Sequence, residues 1–323
     1  KVWARALVVQ DLDLVPSSWR SEQDCESWLA DRGLAVGWGF DTRAIVRHIR
    51  EAGAVPGLLV TDGTEPDELA DRAAEARGTD DCDLATEVAC NEPYDWSQGP
   101  WRSPSATDET RTETAPLRVA VIDYGVKQSI LRRLVHEGFA VRVLPPSTTS
   151  DEVLGGGYDG LLLSNGPGDP AAVASAQKLI PELVGRLPIL GICMGCQLLG
   201  LALGGRTVKL PFGHHGGNHP VRELATGRVL VTSQNHNYAV EESSLPREIE
   251  VDALEIMNAD TAKCNTACGQ ADALAREVTE MGAGMQNPDP LEAQNQSTYL
   301  SPELPSRMND VRCHRHFTAA WRG

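Results

Sequence analysis

Apolar and polar residues follow two different patterns along the chain, and the pattern changes at Leu117. From there to about residue 251, short apolar runs alternate with stretches of helical spacing. The runs predict buried strands at residues 118–123, 140–144, 160–164 and 188–192. Helices are predicted at residues 128–138 and 171–187 and from residue 197 onward. Strands that alternate with helices form a parallel sheet with helices on both faces. The fold class is therefore predicted to be α/β, with a doubly wound, mostly parallel sheet.

The residues before this region predict a smaller N-terminal domain, residues 1–90. Its elements are a short strand followed by three helices, at residues 6–9, 21–32, from 41 or 42, and 65–77. Residues 91–116 are rich in Pro, Ser, Thr and Glu and predict a linker, pinned by Trp96 and Trp101. The sheet domain is then residues 117–251.

The remaining residues, 252–323, form an atypical tail. They hold only one Ile and two Val, whereas strands need β-branched and aromatic residues to cover a core. Within the tail only residues 272–281 have helical spacing. We expect this tail to be disordered or poorly packed.

Composition narrows the function. A length of 323 residues suggests two domains. The net charge of −16 repels polyanions, so nucleic acid is not expected as a partner. No run of 18 apolar residues occurs, so no membrane span is expected. Eight scattered Cys do not form a disulfide framework pattern, and a reducing cytoplasm is predicted.

The main chemical feature is Cys193 in Gly191-Ile-Cys-Met-Gly195, which joins a predicted strand to a predicted helix. A nucleophile at such a sharp turn projects outward, and small neighbours let a substrate carbonyl approach. The helix N-terminus favours the thiolate, and its free N–H groups can hold an oxyanion. Two alternatives exist. Cys193 is a buried inert thiol, or it forms a Cys-x-x-Cys redox pair with Cys196.

Three further segments carry polar or glycine-rich chemistry. Residues 164–170, SNGPGDP, form a rigid loop whose N–H groups can donate to a developing charge, or an ordinary turn. Residues 212–220, FGHHGGNHP, predict a tightly turned loop, with a His metal site as the weaker alternative. Residues 233–238, SQNHNY, follow a predicted strand at 229–232. They form an amide-rich segment able to hold a glutamine backbone, or a loop without a ligand.

These four segments, in this order and spacing, resemble class I glutamine amidotransferases. More narrowly they resemble the small subunit of glutamine-hydrolysing carbamoyl-phosphate synthase, to which the FGHHGGNHP stretch points. Residues 37–43 and the segment between Trp96 and Trp101 are similar to that family's first domain. The resemblance covers about residues 2–251.

The resemblance implies that Cys193 is the nucleophile that attacks the side-chain amide of glutamine through a thioester. It also implies a set of residues that bind glutamine or its oxyanion: Gly166, Gly168, Met194, Gln197, Asn235, Asn237 and Tyr238. Ammonia would pass to the carbamoyl-phosphate synthase large subunit, which uses ATP, Mg and bicarbonate in a ligase reaction for pyrimidine and arginine biosynthesis. No cofactor and no metal are expected in this chain itself, and a heterodimer is implied.

The sequence departs from the family in three ways. Position 196 is often His and position 237 often Gly in the family. The family's first domain is longer, so Lys1 is expected to be an internal start. A His-Pro-Glu segment that supplies the base is also absent, since His219-Pro220 is followed by Val and no His lies between His236 and His314.

This last departure leaves an alternative, a catalytically impaired or non-catalytic subunit whose tail arises from a change of reading frame. Two uses of the tail stay open as weaker alternatives. His314 or His316 substitutes for the missing base, or these two residues form a zinc site with Cys264, Cys268 and Cys313.

Overall fold

The computed structural model describes most of the chain up to Ile249 and four short strands beyond it. The described residues are 2–4, 6–12, 15–60, 66–76, 78–101, 116–247, 249, 253–255, 266–267, 311–313 and 317–319. The chain divides into two compact units, Lys1–Gly78 and Thr79–Gly323. Residues 79–90, grouped by the sequence pattern with the N-terminal domain, thus lie in the second unit.

The first unit combines a small sheet with three helices. Its elements are β1 (Ala6–Val8), α1 (Cys25–Ala30), β2 (Ala35–Gly37), α2 (Thr42–Ala52) and α3 (Pro66–Ala74). Strands β1 and β2 pair in parallel. Asp24 and Asp41 cap α1 and α2, because their carboxylates accept the N–H groups of Ser27 and Ala44. All three predicted helices are present, with α1 and α3 shorter than predicted and α2 beginning at Thr42 as predicted.

The second unit is built on the predicted parallel sheet. Its strands are β4 (Arg118–Ile122), β5 (Ala140–Leu144), β6 (Gly160–Leu163) and β7 (Ile189–Gly191). They lie in the order β7-β6-β4-β5 and are all parallel. The connecting helices are α5 (Gln128–His136), α6 (Ser150–Gly155), α7 (Ala174–Leu183) and α8 (Met194–Ala202). Because the chain passes from β4 to β5 on one side and then returns to β6 on the other, the strand order reverses at β4, and sheets of this kind bind ligands at the carboxyl ends of the strands at that point.

Apolar side chains of the strands point alternately to the two faces of this sheet. Leu161 and Leu163 pack with residues of α6, α7 and α8, whereas Leu162 packs with residues of α5. Each of these leucines is at most 2% exposed. Such complete burial contributes about 1.5–3 kcal/mol per leucine side chain. Helices therefore cover both faces, and the predicted doubly wound α/β architecture is confirmed.

The predicted linker contributes an edge strand to the same sheet. Strand β3 (Tyr94–Trp96) pairs antiparallel with β5, and a short helix, α4 (Leu84–Val88), precedes it. Trp96 is partly buried and donates from Nε1 to the carbonyl of Gln98 at 2.7 Å. Residues 102–115 of the predicted linker lie outside the described residues.

Two long antiparallel strands follow the sheet, where the sequence pattern predicted loops. Strands β8 (Thr207–Glu223) and β9 (Val229–Glu241) run continuously through residues 212–220 and 233–238. The loop prediction for residues 212–220 is therefore wrong, and residues 233–238 continue the strand that was predicted at residues 229–232. The reason is alternation with polar residues, because Thr232, Gln234 and His236 occupy buried positions that usually hold apolar side chains. We call the pair the β8–β9 hairpin.

Beyond residue 252 the structure describes only short strands. They are β10 (Ala253–Glu255), β11 (Thr266–Ala267), β12 (Val311–Cys313) and β13 (Phe317–Ala319). The first two pair with the β8–β9 hairpin, and β12 lies parallel to β7. The rest of the tail, including the predicted helix at 272–281, lies outside the described residues. Across the described part of the chain, no helix is both long and apolar enough to cross a bilayer.

Candidate active site

Cys193 lies at a sharp turn between β7 and α8. Its backbone has φ 52° and ψ −108°, a conformation that non-glycine residues rarely adopt. Such strain persists only where the surroundings enforce it, and it is frequent at reacting residues. The side chain is partly buried and carries a free thiol, whose Sγ lies 3.9 Å from the carbonyl oxygen of Asn235. The turn thus presents the sulfur at the carboxyl edge of the sheet.

The two glycines around Cys193 are required by close backbone approach. A Cβ on Gly195 would lie 2.1 Å from the carbonyl oxygen of Leu163, and a Cβ on Gly191 would lie 2.6 Å from that of Gly195. Both distances are far inside van der Waals contact. The Gly-x-Cys-x-Gly pattern therefore reflects how tightly α8 begins against β6 and β7.

The first turn of α8 offers a backbone donor beside the thiol. The N–H groups of Cys196 and Gln197 donate to the carbonyl of Cys193, and that of Gly195 donates to Ser164 at 3.0 Å. Helix N-termini leave their first N–H groups without intrahelical partners. Among the described residues, this leaves the N–H of Met194 as the donor in the first turn that no carbonyl accepts. Its position suits an oxyanion at the carbon that the sulfur would attack.

The SNGPGDP loop lies directly beside this turn. Asn165 fixes it to the end of β4, because its Oδ1 accepts the N–H of Lys127 and its Nδ2 donates to the carbonyl of Gly125. A Cβ on Gly166 would lie 2.1 Å from the carbonyl oxygen of Tyr124, and Gly168 has φ 93°. The predicted rigid loop is therefore present, with both glycines demanded by geometry.

The β8–β9 hairpin forms the other side of the site. Gln197 donates from Nε2 to the carbonyl of Tyr238 at 2.6 Å, which ties α8 to β9. His215 bridges two exposed amides, with Nδ1 at 2.8 Å from Asn235 Oδ1 and Nε2 at 3.1 Å from Asn237 Oδ1. The backbone of residues 235–238 is thus held from both sides next to Cys193.

The alternatives raised for these motifs fare differently. Cys196 on α8 is 3% exposed and packs in the core, whereas Cys193 is outside any disulfide, so the two do not form a disulfide with each other. The rings of His214 and His219 are tilted at 38° with centroids 5.5 Å apart, while His215 faces the amides. Within the described residues, no group of three or more His, Cys, Asp or Glu is arranged to hold a metal ion.

The structure describes only one of the tail residues that were considered as a substitute base or as zinc ligands. Strand β12 places Cys313 opposite Gly191 in parallel register. His314 and His316, together with Cys264 and Cys268, lie outside the described residues.

Sequence reasoning missed three aspartates that hold residues 79–90 against the site. Asp123 accepts the N–H of Cys90 at 2.8 Å, and Asp169 accepts that of Asp81 at 3.2 Å. Asp80 accepts the hydroxyl of Tyr238 at 2.5 Å. An isolated Asp gives no periodic signal, so the only hints were that Asp123 ends the predicted strand at 118–123 and that Asp169 lies in the predicted loop at 164–170.

The pKa values of two residues in this region, Asp80 and Cys90, differ from their ordinary values. Hydrogen bonds from Lys209 and Tyr238 lower the pKa of Asp80 below its ordinary value of 3.8. Burial, followed by the charge of Asp123, raises the pKa of the Cys90 thiol to about 12. Cys90 is therefore protonated and unreactive at neutral pH.

Comparison with known proteins agrees with this geometry. Residues 120–264 match the family model for glutamine amidotransferase class-I, the class that the α/β sheet and the strained cysteine define. Residues 1–59 match the model for the carbamoyl-phosphate synthase small chain, CPSase domain. The chain belongs to the carbamoyl phosphate synthase small chain family.

Three relatives show the extent of the similarity, and each is named as a carbamoyl phosphate synthase small chain. The protein of Aquifex aeolicus is 42% identical over 80% of this chain and 69% of its own length. That of Syntrophotalea carbinolica is 44% identical over 74% and 63%. The chloroplastic protein of Arabidopsis thaliana is 41% identical over 76% and 57%. The chain thus spans between about half and two thirds of these relatives' length.

Proposed function

We propose that this chain is the glutamine-hydrolysing subunit of a carbamoyl-phosphate synthase and that Cys193 is its nucleophile. The observation that carries the proposal is the strained turn at φ 52°, which places a cysteine outside any disulfide at the start of α8, with its Sγ 3.9 Å from the carbonyl oxygen of Asn235. Family membership supports the same reaction. Gly166, Gly168, Gln197, Asn237 and Tyr238 are proposed to bind glutamine or to shape its site.

The reaction proceeds in two balanced steps. The Cys193 thiolate attacks the side-chain amide carbon of glutamine, and the oxyanion that forms accepts a hydrogen bond from the Met194 N–H. The amide nitrogen takes up a proton and leaves as ammonia, so that a thioester remains. Water then adds to the thioester carbon, glutamate departs and the thiol is restored.

The sequence does not provide the usual group for the proton transfers of this reaction. The sequence has no His-Pro-Glu segment that would supply a base and its carboxylate partner. A positioned general acid–base group contributes about 10²–10⁴-fold to rate. The second candidate function, a catalytically impaired subunit, rests on this one observation.

The product and the compartment belong to the same proposal. Ammonia would pass to a large subunit that makes carbamoyl phosphate with ATP and Mg. No metal or nucleotide step is assigned to this chain. The cytoplasm is proposed as the compartment, because the eight Cys are scattered along the sequence and do not form a disulfide framework pattern.

Glutamate release from glutamine tests the proposal directly. We expect the full chain, with a carbamoyl phosphate synthase large subunit present, to hydrolyse glutamine about 10²–10⁴-fold more slowly than a relative that has the His-Pro-Glu segment. Cys193→Ser is expected to lower the remaining rate at least ~10³-fold, because the hydroxyl is a far weaker nucleophile without a base.

Cys25→Ser is the matched control, since Cys25 is an exposed free thiol in the other unit. It should leave the rate unchanged. Release that survives Cys193→Ser would refute the role of Cys193. No release from the unaltered chain, with a thioester still formed at Cys193, would identify the impaired subunit instead.

A further inference from the structure

Residues 80–90 cross the carboxyl edge of the sheet as a short segment, which we call the strap. It contains α4, whose first turn is capped by Asp83, and it connects three parts of the second unit. None of its residues belongs to the site that the sequence motifs define. Its contacts nevertheless reach both sides of that site.

The first contact joins the strap to the β8–β9 hairpin. Asp80 accepts a hydrogen bond from the Tyr238 hydroxyl at 2.5 Å and one from Lys209 Nζ at 2.6 Å. Lys209 and Tyr238 are register partners on β8 and β9, so one carboxylate holds a cross-strand pair. Tyr238 is 6% exposed, and hydrogen bonds to an ionised group in partial burial are stronger than neutral ones.

The second contact joins the strap to the SNGPGDP loop. Asp169 accepts the N–H of Asp81 and donates its own N–H to the carbonyl of Cys82 at 3.3 Å. A Cβ on Gly168 would lie 2.8 Å from the same carbonyl oxygen. The strap backbone therefore lies directly on the loop that carries the proposed glutamine contacts.

The far end of the strap is fixed to the sheet itself. The N–H of Cys90 donates to Asp123, which follows β4, and Ala85 of α4 is fully buried in the core. Because Asp81 and Cys82 contact the loop while Asp80 contacts the hairpin, the strap links the hairpin to the loop. The distance between those two walls is what a bound glutamine would span.

We propose that the strap is a positioning element of the glutamine site and that Asp80 is its positioning residue. Through Tyr238 it holds residues 235–238 at a set distance from the SNGPGDP loop, without touching the reacting atoms. The inference rests on the proposed function, because it assigns the strap to that same site. It predicts that Asp80 governs glutamine affinity and not the reactivity of the Cys193 sulfur.

Two labelling reactions of the full chain separate these quantities. A chloroketone analogue of glutamine binds in the site before it alkylates Cys193, whereas iodoacetamide alkylates without using the site. For Asp80→Ala we expect the inhibition constant of the chloroketone to rise about 5- to 20-fold. The maximal inactivation rate and the iodoacetamide rate at Cys193, followed by mass spectrometry, should stay within about 2-fold of the unaltered chain.

Milder variants protect the test against misfolding. Tyr238→Phe removes only the hydroxyl and should raise the inhibition constant by about 2- to 10-fold. The double variant should be no worse than Asp80→Ala alone, because both changes break one contact. Asp80→Glu, which keeps the charge, should restore part of the affinity. Asp95→Ala is the matched control, since Asp95 pairs with Arg142 on the far edge strand β3 and should change nothing.

Each outcome decides the matter. An unchanged inhibition constant in Asp80→Ala, or equal losses in both labelling reactions, would overturn the positioning role. If the unaltered chain shows no saturable labelling by the chloroketone, the proposed glutamine site itself fails, and the strap has nothing to position. Failure of the strap proposal alone gives a different result, namely saturable labelling whose inhibition constant is the same in Asp80→Ala and in the unaltered chain.

Discussion

At the scale of single residues, the site depends on glycines, because the lack of a Cβ atom allows close backbone contacts. Gly195 lets the start of α8 lie against the carbonyl of Leu163, and Gly166 does the same for the loop against Tyr124. Cys193 holds its positive φ between these two approaches. The proposed nucleophile is thus positioned by close backbone contacts that a side chain larger than that of glycine would prevent.

This argument predicts the effect of adding one methyl group. Gly195→Ala places a Cβ 2.1 Å from the Leu163 oxygen, so the backbone must shift. We expect the free energy of unfolding to fall by ~1–3 kcal/mol or more. Denaturant unfolding of the full chain measures it.

Gly155→Ala serves as the comparison, because Gly155 ends α6 with open space around its Cβ position. It should leave stability unchanged or raise it by up to ~1 kcal/mol. Equal losses from the two substitutions would show that the close approach at α8 is not what requires glycine.

At the scale of elements, the β8–β9 hairpin carries the amides of the site. His215 on β8 faces both Asn235 and Asn237 on β9, on the exposed side of the hairpin. Its ring therefore orders the strand whose backbone lies beside Cys193. An exposed side chain with this role should matter for ligand binding more than for folding.

His215→Ala tests that expectation. Losing two hydrogen bonds to neutral amides should weaken binding of the chloroketone by about 2- to 10-fold. The free energy of unfolding should change by less than ~0.5 kcal/mol, as for most exposed positions. Asn218→Ala, also exposed on β8, is the control. A loss of stability without a loss of binding would assign His215 to folding instead.

Elements also show how far the sequence could lead. The four parallel strands and the helices α5, α7 and α8 are predicted correctly, because each strand is a short apolar run and these helices have regular spacing, whereas α6 is not predicted. The Gly-x-Cys-x-Gly turn is also predictable, because its glycines indicate close backbone contacts between a predicted strand and a predicted helix. The hairpin was not, because Thr232, Gln234 and His236 place polar groups where an inward-facing strand residue is normally apolar.

The strap was beyond sequence reasoning for a different reason. Its contacts join residues far apart in the chain, such as Asp80 and Tyr238, through single side chains. Only the assembled sheet brings them together. The sequence pattern ends the first domain at residue 90, whereas the first unit of the structure ends at Gly78. The difference arises because hydrogen bonds, which composition does not reveal, hold residues 79–90 to the second unit.

At the scale of the whole molecule, the strap couples stability to acid. The pKa of Asp80 is below 3.8 in the folded chain, because Lys209 and Tyr238 donate to its charged form. A group whose pKa is lowered by folding stabilises the protein above its unfolded pKa. That contribution is lost as pH falls toward the folded pKa.

We therefore expect the unaltered chain to be more stable than Asp80→Asn at neutral pH. The difference in free energy of unfolding should shrink as the pH falls through the ordinary pKa of 3.8 toward the lower pKa of the folded chain, because the unfolded chain then binds a proton that folded Asp80 still resists. Because the carboxylate is half exposed, the difference is expected to be small and to decline with added salt. Urea titrations of both chains across this range measure it. A gap that widens toward acid would contradict the assigned contact.

The strap begins where the first unit ends, since Asp80 stands one residue beyond Thr79. The polypeptide that leaves the first unit is thus tied to Tyr238 before it enters any strand of the central sheet. Along the chain, the contacts of Asp80 with Lys209 and Tyr238 therefore come before any pairing with the central sheet. The connection from the first unit is therefore attached to the β8–β9 hairpin before it is attached to the strands that precede Cys193.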